Sequence, residues 1–115
     1  MKIGNNYELI GKVVKDTETY KLIDNTILNN LTISTTELYA GRHTGGHSHE
    51  NQEEVYIFLS GKGSMLLGDQ TIPVNGGDTI TIPVKTFHQV KANKGVNVYF
   101  MCVFEGERNH ISRSN

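Results

Sequence analysis

Apolar and β-branched residues recur in short runs about every ten residues, and no helical hydrophobic period is sustained for three turns. The pattern predicts a nearly all-β chain. Predicted strands run from Tyr7 to Val14, Thr19 to Ile23, Leu31 to Ala40, His47 to His49, Glu54 to Leu59, Gly63 to Leu67, Gln70 to Val74, Thr79 to Ile82, His88 to Ala92 and Val96 to Phe104. Turn residues separate them: Ser60-Gly61-Lys62-Gly63, Gly68-Asp69, Asn75-Gly76-Gly77-Asp78 and Asn93-Lys94-Gly95. Gly68-Asp69, between Leu66-Leu67 and Thr71-Ile72, is the strongest hairpin signal.

Two runs, Val55 to Leu59 and Val98 to Phe104, are apolar on both faces. Such strands need a layer on each side, supplied by the N-terminal strands or by a partner subunit. Such a chain forms a sandwich or a small barrel; the expectation is a single, dimeric jelly-roll β-barrel in which residues 1–40 cover the barrel and residues 41–105 form its core. The polar tail, residues 106–115, is expected to be frayed.

The chain has 115 residues and a formal charge of −1. One domain fits that length, and no basic cluster suggests nucleic acid or an anionic membrane as partner. No apolar run reaches the length of a membrane span and Met1 to Asn6 leads into no signal-peptide core, so a soluble cytoplasmic protein is expected. The lone Cys102 fits a reducing compartment and reads as a packed core thiol.

The chemistry concentrates in His47-Ser48-His49, then Glu54, then His88. Imidazoles at i and i+2 of an extended segment share a face, and a carboxylate can arrive from the next strand. First-row divalent metals favour this donor set, and four ligands leave two octahedral positions for water or substrate. Glu53 is the second choice for the carboxylate; on a strand it points away from Glu54. His43 and His110 lack such context and read as solvated.

The spacings Gly41-x5-His47-x-His49-x4-Glu54-x6-Gly61 and Gly77-x5-Pro83-x4-His88 resemble the two signature motifs of the cupin superfamily. Where that family often has glycine two residues after the proline, this chain has Lys85; its frequent asparagine four after the last histidine is Ala92 here, with Asn93 one place late. The resemblance implies a jelly-roll barrel with a divalent metal held by His47, His49, Glu54 and His88.

Thr44-x-Gly46-His47-x-His49, Glu54-Val55-Tyr56 and Leu59-x-Gly61-x-Gly63-x-Met65-Leu66-Leu67 also look like the cupin-type glucose-6-phosphate isomerases of archaea. That likeness implies that Glu54 moves the proton as the catalytic residue and that Thr44, Gly46 and Tyr56 meet the substrate phosphate. Aldose and ketose interconvert through an enediol, which needs a base and an electrophile for the developing oxyanion. Arg42 or Lys85 could add charge, and Tyr39, Thr35 and Glu37 could alternate along a pocket wall. The alternatives are an iron-dependent dioxygenase of a small metabolite and a non-catalytic cupin that binds a small ligand or metal. The donor set accepts iron, manganese, nickel, cobalt or zinc.

Overall fold

A computed structural model describes residues 1–106 and 108, and every regular element among them is a strand. In chain order these are β1 (Gly4–Asn5), β2 (Glu8–Leu9), β3 (Lys12–Asp16), β4 (Tyr20–Asn25), β5 (Leu31–Leu38), β6 (Glu54–Ser60), β7 (Lys62–Leu67), β8 (Gln70–Asn75), β9 (Thr79–Ile82), β10 (His88–Ala92) and β11 (Val98–Glu105). A large antiparallel sheet has the order β3-β4-β5-β11-β6-β9, a small one β10-β7-β8, and β1 pairs with β2 as a hairpin. The ladders of the two main sheets stay separate, so the expected barrel is an open two-sheet arrangement among the described residues.

Alternation decides which side chains lie between the sheets. On the large sheet Leu38, Phe58, Val98 and Phe100 are buried; Met65, Val74, Val90 and Ala92 meet them from the small one. β5 and β11 pair along their whole length, from Val98↔Leu38 to Glu105↔Leu31. Residues 20–38 therefore supply interior strands of the large sheet, and β4 and β5 carry part of the core.

The Gly68-Asp69 hairpin forms as expected: Leu67 pairs with Gln70, and Gly68 takes φ +63°. Two predicted strands do not form whole. Tyr7 to Val14 is broken because Asn6 and Tyr7 turn the β1-β2 hairpin at φ +51° and +65°, and the chain breaks again before β3. His47 to His49 is a loop whose one ladder contact is the bridge His47↔His88; Gly46, at φ +78°, bends the chain just before it.

Two positive-φ positions lead to opposite expectations. Gly61 has φ +95°, and a Cβ there would stand 2.0 Å from the Asn97 carbonyl oxygen. Gly61→Ala should therefore destabilise the fold by more than about 2 kcal/mol in urea unfolding. Lys85 has φ +61° where the related signature often places glycine. Relief of the left-handed strain, about 1–2 kcal/mol, outweighs the added freedom of the unfolded chain, about 0.4–1 kcal/mol. Lys85→Gly should stabilise by roughly 0.5–1 kcal/mol in the same measurement.

Candidate metal centre

Three structural elements bring four side chains to one end of the space between the sheets. Glu54 opens β6 on the inner face of the large sheet, as Tyr56 and Phe58 follow it there. His88 opens β10 in the small sheet. His47 and His49 come from the loop between β5 and β6, which is fastened at several points. His47 and His88 exchange both backbone hydrogen bonds, at 3.1 and 3.0 Å, and the Lys85 N–H donates to the His49 carbonyl at 2.6 Å. The Gln52 side-chain amide, buried between His49 and Glu54, donates to the Glu105 carbonyl at the end of β11.

The result is a tight cluster. One donor atom from each of His47, His49, Glu54 and His88 lies within 4.8 Å of the others. The imidazole centroids are 4.5 Å apart for His47 and His49, 4.7 Å for His47 and His88, and 5.3 Å for His49 and His88. An ion held at about 2.0–2.2 Å by each ligand keeps donor atoms within roughly 4.4 Å of one another, so the cluster is close to coordinating size. His49 Nε2 touches Glu54 Oε1, and His88 Nε2 lies 3.6 Å from the same oxygen.

His88 shows why the site fits a cation. Its Nδ1 is 3.0 Å from the Thr86 carbonyl, which can only accept, so Nδ1 carries the hydrogen. Nε2 then offers a lone pair to the cluster, and that buried atom has no hydrogen-bond donor. A carbonyl behind a histidine is the usual device for orienting a metal ligand. Three imidazoles and one carboxylate are a donor set for a divalent transition metal, and the cluster could hold one.

Electrostatics agree with that geometry. Burial pushes the Glu54 carboxyl upward, but the adjoining His88, then His49 and His47, leave it below its ordinary value. Burial lowers His88, yet the neighbouring Glu54 carboxylate and the Thr86 carbonyl raise it overall. The site thus favours an ionised carboxylate against imidazoles.

A cavity of about 520 Å³ opens over the cluster, with Ser34, Thr36, Thr44, Tyr56, Phe100 and Phe104 among its walls. Thr44 and Tyr56 thus face it, while Gly46 packs against Phe87 and leaves the wall position to Gly45. The Thr44 hydroxyl accepts the Val90 N–H at 3.0 Å. Tyr56 stacks on Phe100 at 5.3 Å. Burial first, then Cys102 and Glu54, hold its phenol well above the ordinary range.

Other expectations meet a mixed outcome. Glu53 is exposed and Glu54 is buried, as alternation requires. His43 is exposed, close to the Thr44 carbonyl and Gln89, and stands apart from the cluster. His110 lies outside the described residues, with the whole tail except Gly106 and Arg108. Cys102 is a buried thiol on the cavity wall and is not one of the clustered donors.

The expected wall of Tyr39, Thr35 and Glu37 is corrected by one residue: Ser34 and Thr36 face the cavity, since they pair with the inward Cys102 and Phe100. Arg42 and Lys85 are exposed and absent from the walls. The cations there are Lys15 and Arg108, which no motif marks. Arg108 is anchored rather than frayed, through two hydrogen bonds to Asp24.

Comparison with known proteins agrees with this architecture. Residues 34–104 match the family described as Cupin domain. An uncharacterized protein of Methanocaldococcus jannaschii is 39% identical over 62 residues, which are 54% of this chain and 50% of that protein. The match thus spans half the length of that relative. Among solved structures, KdgF from Halomonas sp. has a TM-score of 0.74 at 15% identity, covering 85% of this chain and 88% of that one. A proposed sugar phosphate isomerase from Acidithiobacillus ferrooxidans has a TM-score of 0.67 at 19% identity, covering 76% and 60%. At those identities the structural likeness concerns the fold. The inward His/Glu cluster, the two facing antiparallel sheets and the matched span lead to one assignment: this chain belongs to the cupin family.

Proposed function

We propose that the chain is a metal-dependent small cupin that interconverts a sugar or sugar phosphate by proton transfer, with Glu54 moving the proton. The observation that carries this reading is the convergence of three imidazoles and one carboxylate on a cavity of about 520 Å³ that also bears hydroxyl groups. That volume suits a small metabolite. The shared fold with the Acidithiobacillus protein, itself described in those terms, is in keeping with it.

His47, His49, Glu54 and His88 would hold the ion. A bound divalent metal supplies an electrophile for the substrate carbonyl and for the oxyanion that develops beside it. Glu54 is ionised at neutral pH and so can accept a proton from the carbon next to the carbonyl and return it to the former carbonyl carbon, while the hydroxyl hydrogen passes from one substrate oxygen to the other. Thr44 and Tyr56 line the cavity and would offer hydroxyls to the ligand, and Phe100 and Phe104 would limit water around the enediol.

A second reading, an iron-dependent dioxygenase, is favoured by the aromatic wall of Tyr56, Phe100 and Phe104. Oxygen consumption by iron-loaded protein separates the two. We place the protein in the cytoplasm, on the ground of its single cysteine.

Purified protein should carry about one transition-metal ion per chain by elemental analysis, and should lose it as pH falls below roughly 6.5, where imidazole ligands take up protons. Glu54→Gln should remain folded and lose about 10²–10⁴ of turnover on a phosphosugar panel assayed anaerobically. No turnover by the metal-loaded wild type on any member of that panel removes the isomerase reading.

A homodimer belongs to the same proposal. On the outer face of the large sheet Met101 pairs with Ile57 and Val103 with Val55, and all four are only partly buried. Covering such a stripe is favourable by about 25 cal/mol per Å² of apolar surface. Light scattering should give a dimer for the native chain and a monomer for Met101→Lys; a monomeric native chain refutes the pairing.

A further inference from the structure

The proposed function leaves two cations on the cavity wall unexplained. Arg108 follows β11, and its Nε and Nη2 donate to Asp24 Oδ2 and Oδ1 at 2.8 and 2.7 Å. Its guanidinium also lies 5.3 Å over the Phe104 ring. Asp24 is buried on the inner face of β4, so the fork is fixed along one edge by a carboxylate and on one face by an aromatic ring. A guanidinium has five N–H donors, of which Asp24 takes two. Those that remain belong to a side chain on the cavity wall.

Register brings this cation near the metal-ligand cluster. Phe104 pairs directly with Glu54, so the guanidinium rests over the strand next to the one that supplies the carboxylate. Its charge is felt at Tyr56 and Cys102, which share the wall.

The second cation arrives through a bulge. β3 and β4 lose register between Val13 and Lys15, and both Val14 and Lys15 line the cavity. Bulges turn a side chain away from its regular face. Lys15 is exposed and has no ion pair among the described residues. Since Asp24 balances Arg108, Lys15 supplies net positive charge while Arg108 supplies a fixed fork.

We propose that Arg108, clamped by Asp24, and Lys15 form an oxyanion subsite of this cavity, so that the ligand carries a carboxylate or phosphate besides the oxygens turned to the His/Glu cluster. This inference deepens the proposed function and rests on the cavity being its substrate site. A planar carboxylate or a phosphate face suits the remaining N–H donors of a fixed guanidinium and the Lys15 ammonium together, whereas a neutral sugar hydroxyl leaves the Lys15 charge unanswered.

Calorimetric titration of the full chain, with metal content measured in parallel, tests this with glucose 6-phosphate, glucuronate and glucose. At least one of the two anionic sugars should bind about tenfold or more tighter than glucose, and which one does so identifies the oxyanion. The double variant Asp24→Asn/Arg108→Gln, which leaves no buried carboxylate stranded, should lose that preference and keep native metal content. Lys15→Gln, at an exposed position, should weaken the anion about two- to fivefold and leave glucose unchanged. Equal binding of all three sugars, no binding of either anion, or a preference that survives in the double variant overturns the subsite. Protein that holds no metal yet still prefers the anion supports the subsite and counts against the metal-dependent reading alone.

Discussion

The arrangement depends on the reciprocal backbone hydrogen bonds between His47 and His88. β10 is held in register along five residues by β7, from His88↔Leu67 to Ala92↔Gly63, so His88 has a fixed place. His47 is not part of a strand, and the bridge is what places it beside His88. Two residues later the His49 carbonyl is tied to Lys85, and Gln52 is tied to Glu105 before Glu54 enters β6. A backbone hydrogen bond contributes about 1 kcal/mol net, so these ties matter less for total stability than for position. They hold two donors of a loop, His47 and His49, against two that open strands, Glu54 and His88, as preorganised coordination requires.

The sheet itself divides into a structural end and a chemical end. Along the inner face of β6 the order is Phe58, Tyr56, Glu54; along β5 it is Leu38, Thr36, Ser34, Thr32. Each column thus passes from hydrocarbon to oxygen in the same direction. The apolar end supplies the core with Val98, Phe58 and Met65. Polar side chains at the other end must be answered, because burial without a partner costs roughly 1–3 kcal/mol per group. Thr32 answers by donating to the Gly106 carbonyl at 2.7 Å, and Thr44 by accepting from Val90.

Much of this was legible in the sequence because strands with one buried face alternate, and turns need glycine or asparagine. Gly68-Asp69 and the strands from Glu54 to Ala92 follow that logic closely. The clustered set was legible for a different reason: histidine, glutamate, glycine and proline stand at fixed spacings. The route to the cluster was not, since a His-x-His pair suggests a strand while a bent loop brings the same rings together. Register on β5 was illegible as well, because Ser34, Thr35 and Thr36 are all small and polar; pairing with Cys102 and Phe100 chooses Ser34 and Thr36 for the cavity. Arg108 sits in a polar segment without period, and its anchor Asp24 is distant in sequence.

Charge in the cavity is allotted to particular groups by their surroundings. Burial acts on Glu54, Tyr56 and Cys102 alike by disfavouring an anion. Only Glu54 has imidazoles close enough to reverse that trend, and its carboxyl falls while the phenol and the thiol rise. At neutral pH the negative charge of these three groups therefore stays on Glu54, beside the histidines, and Tyr56 and Cys102 remain neutral walls. A thiol needs its thiolate form to ligate a metal or attack an electrophile. The environment of Cys102 withholds that form, so a residue within sight of the cluster does not compete with its four donors.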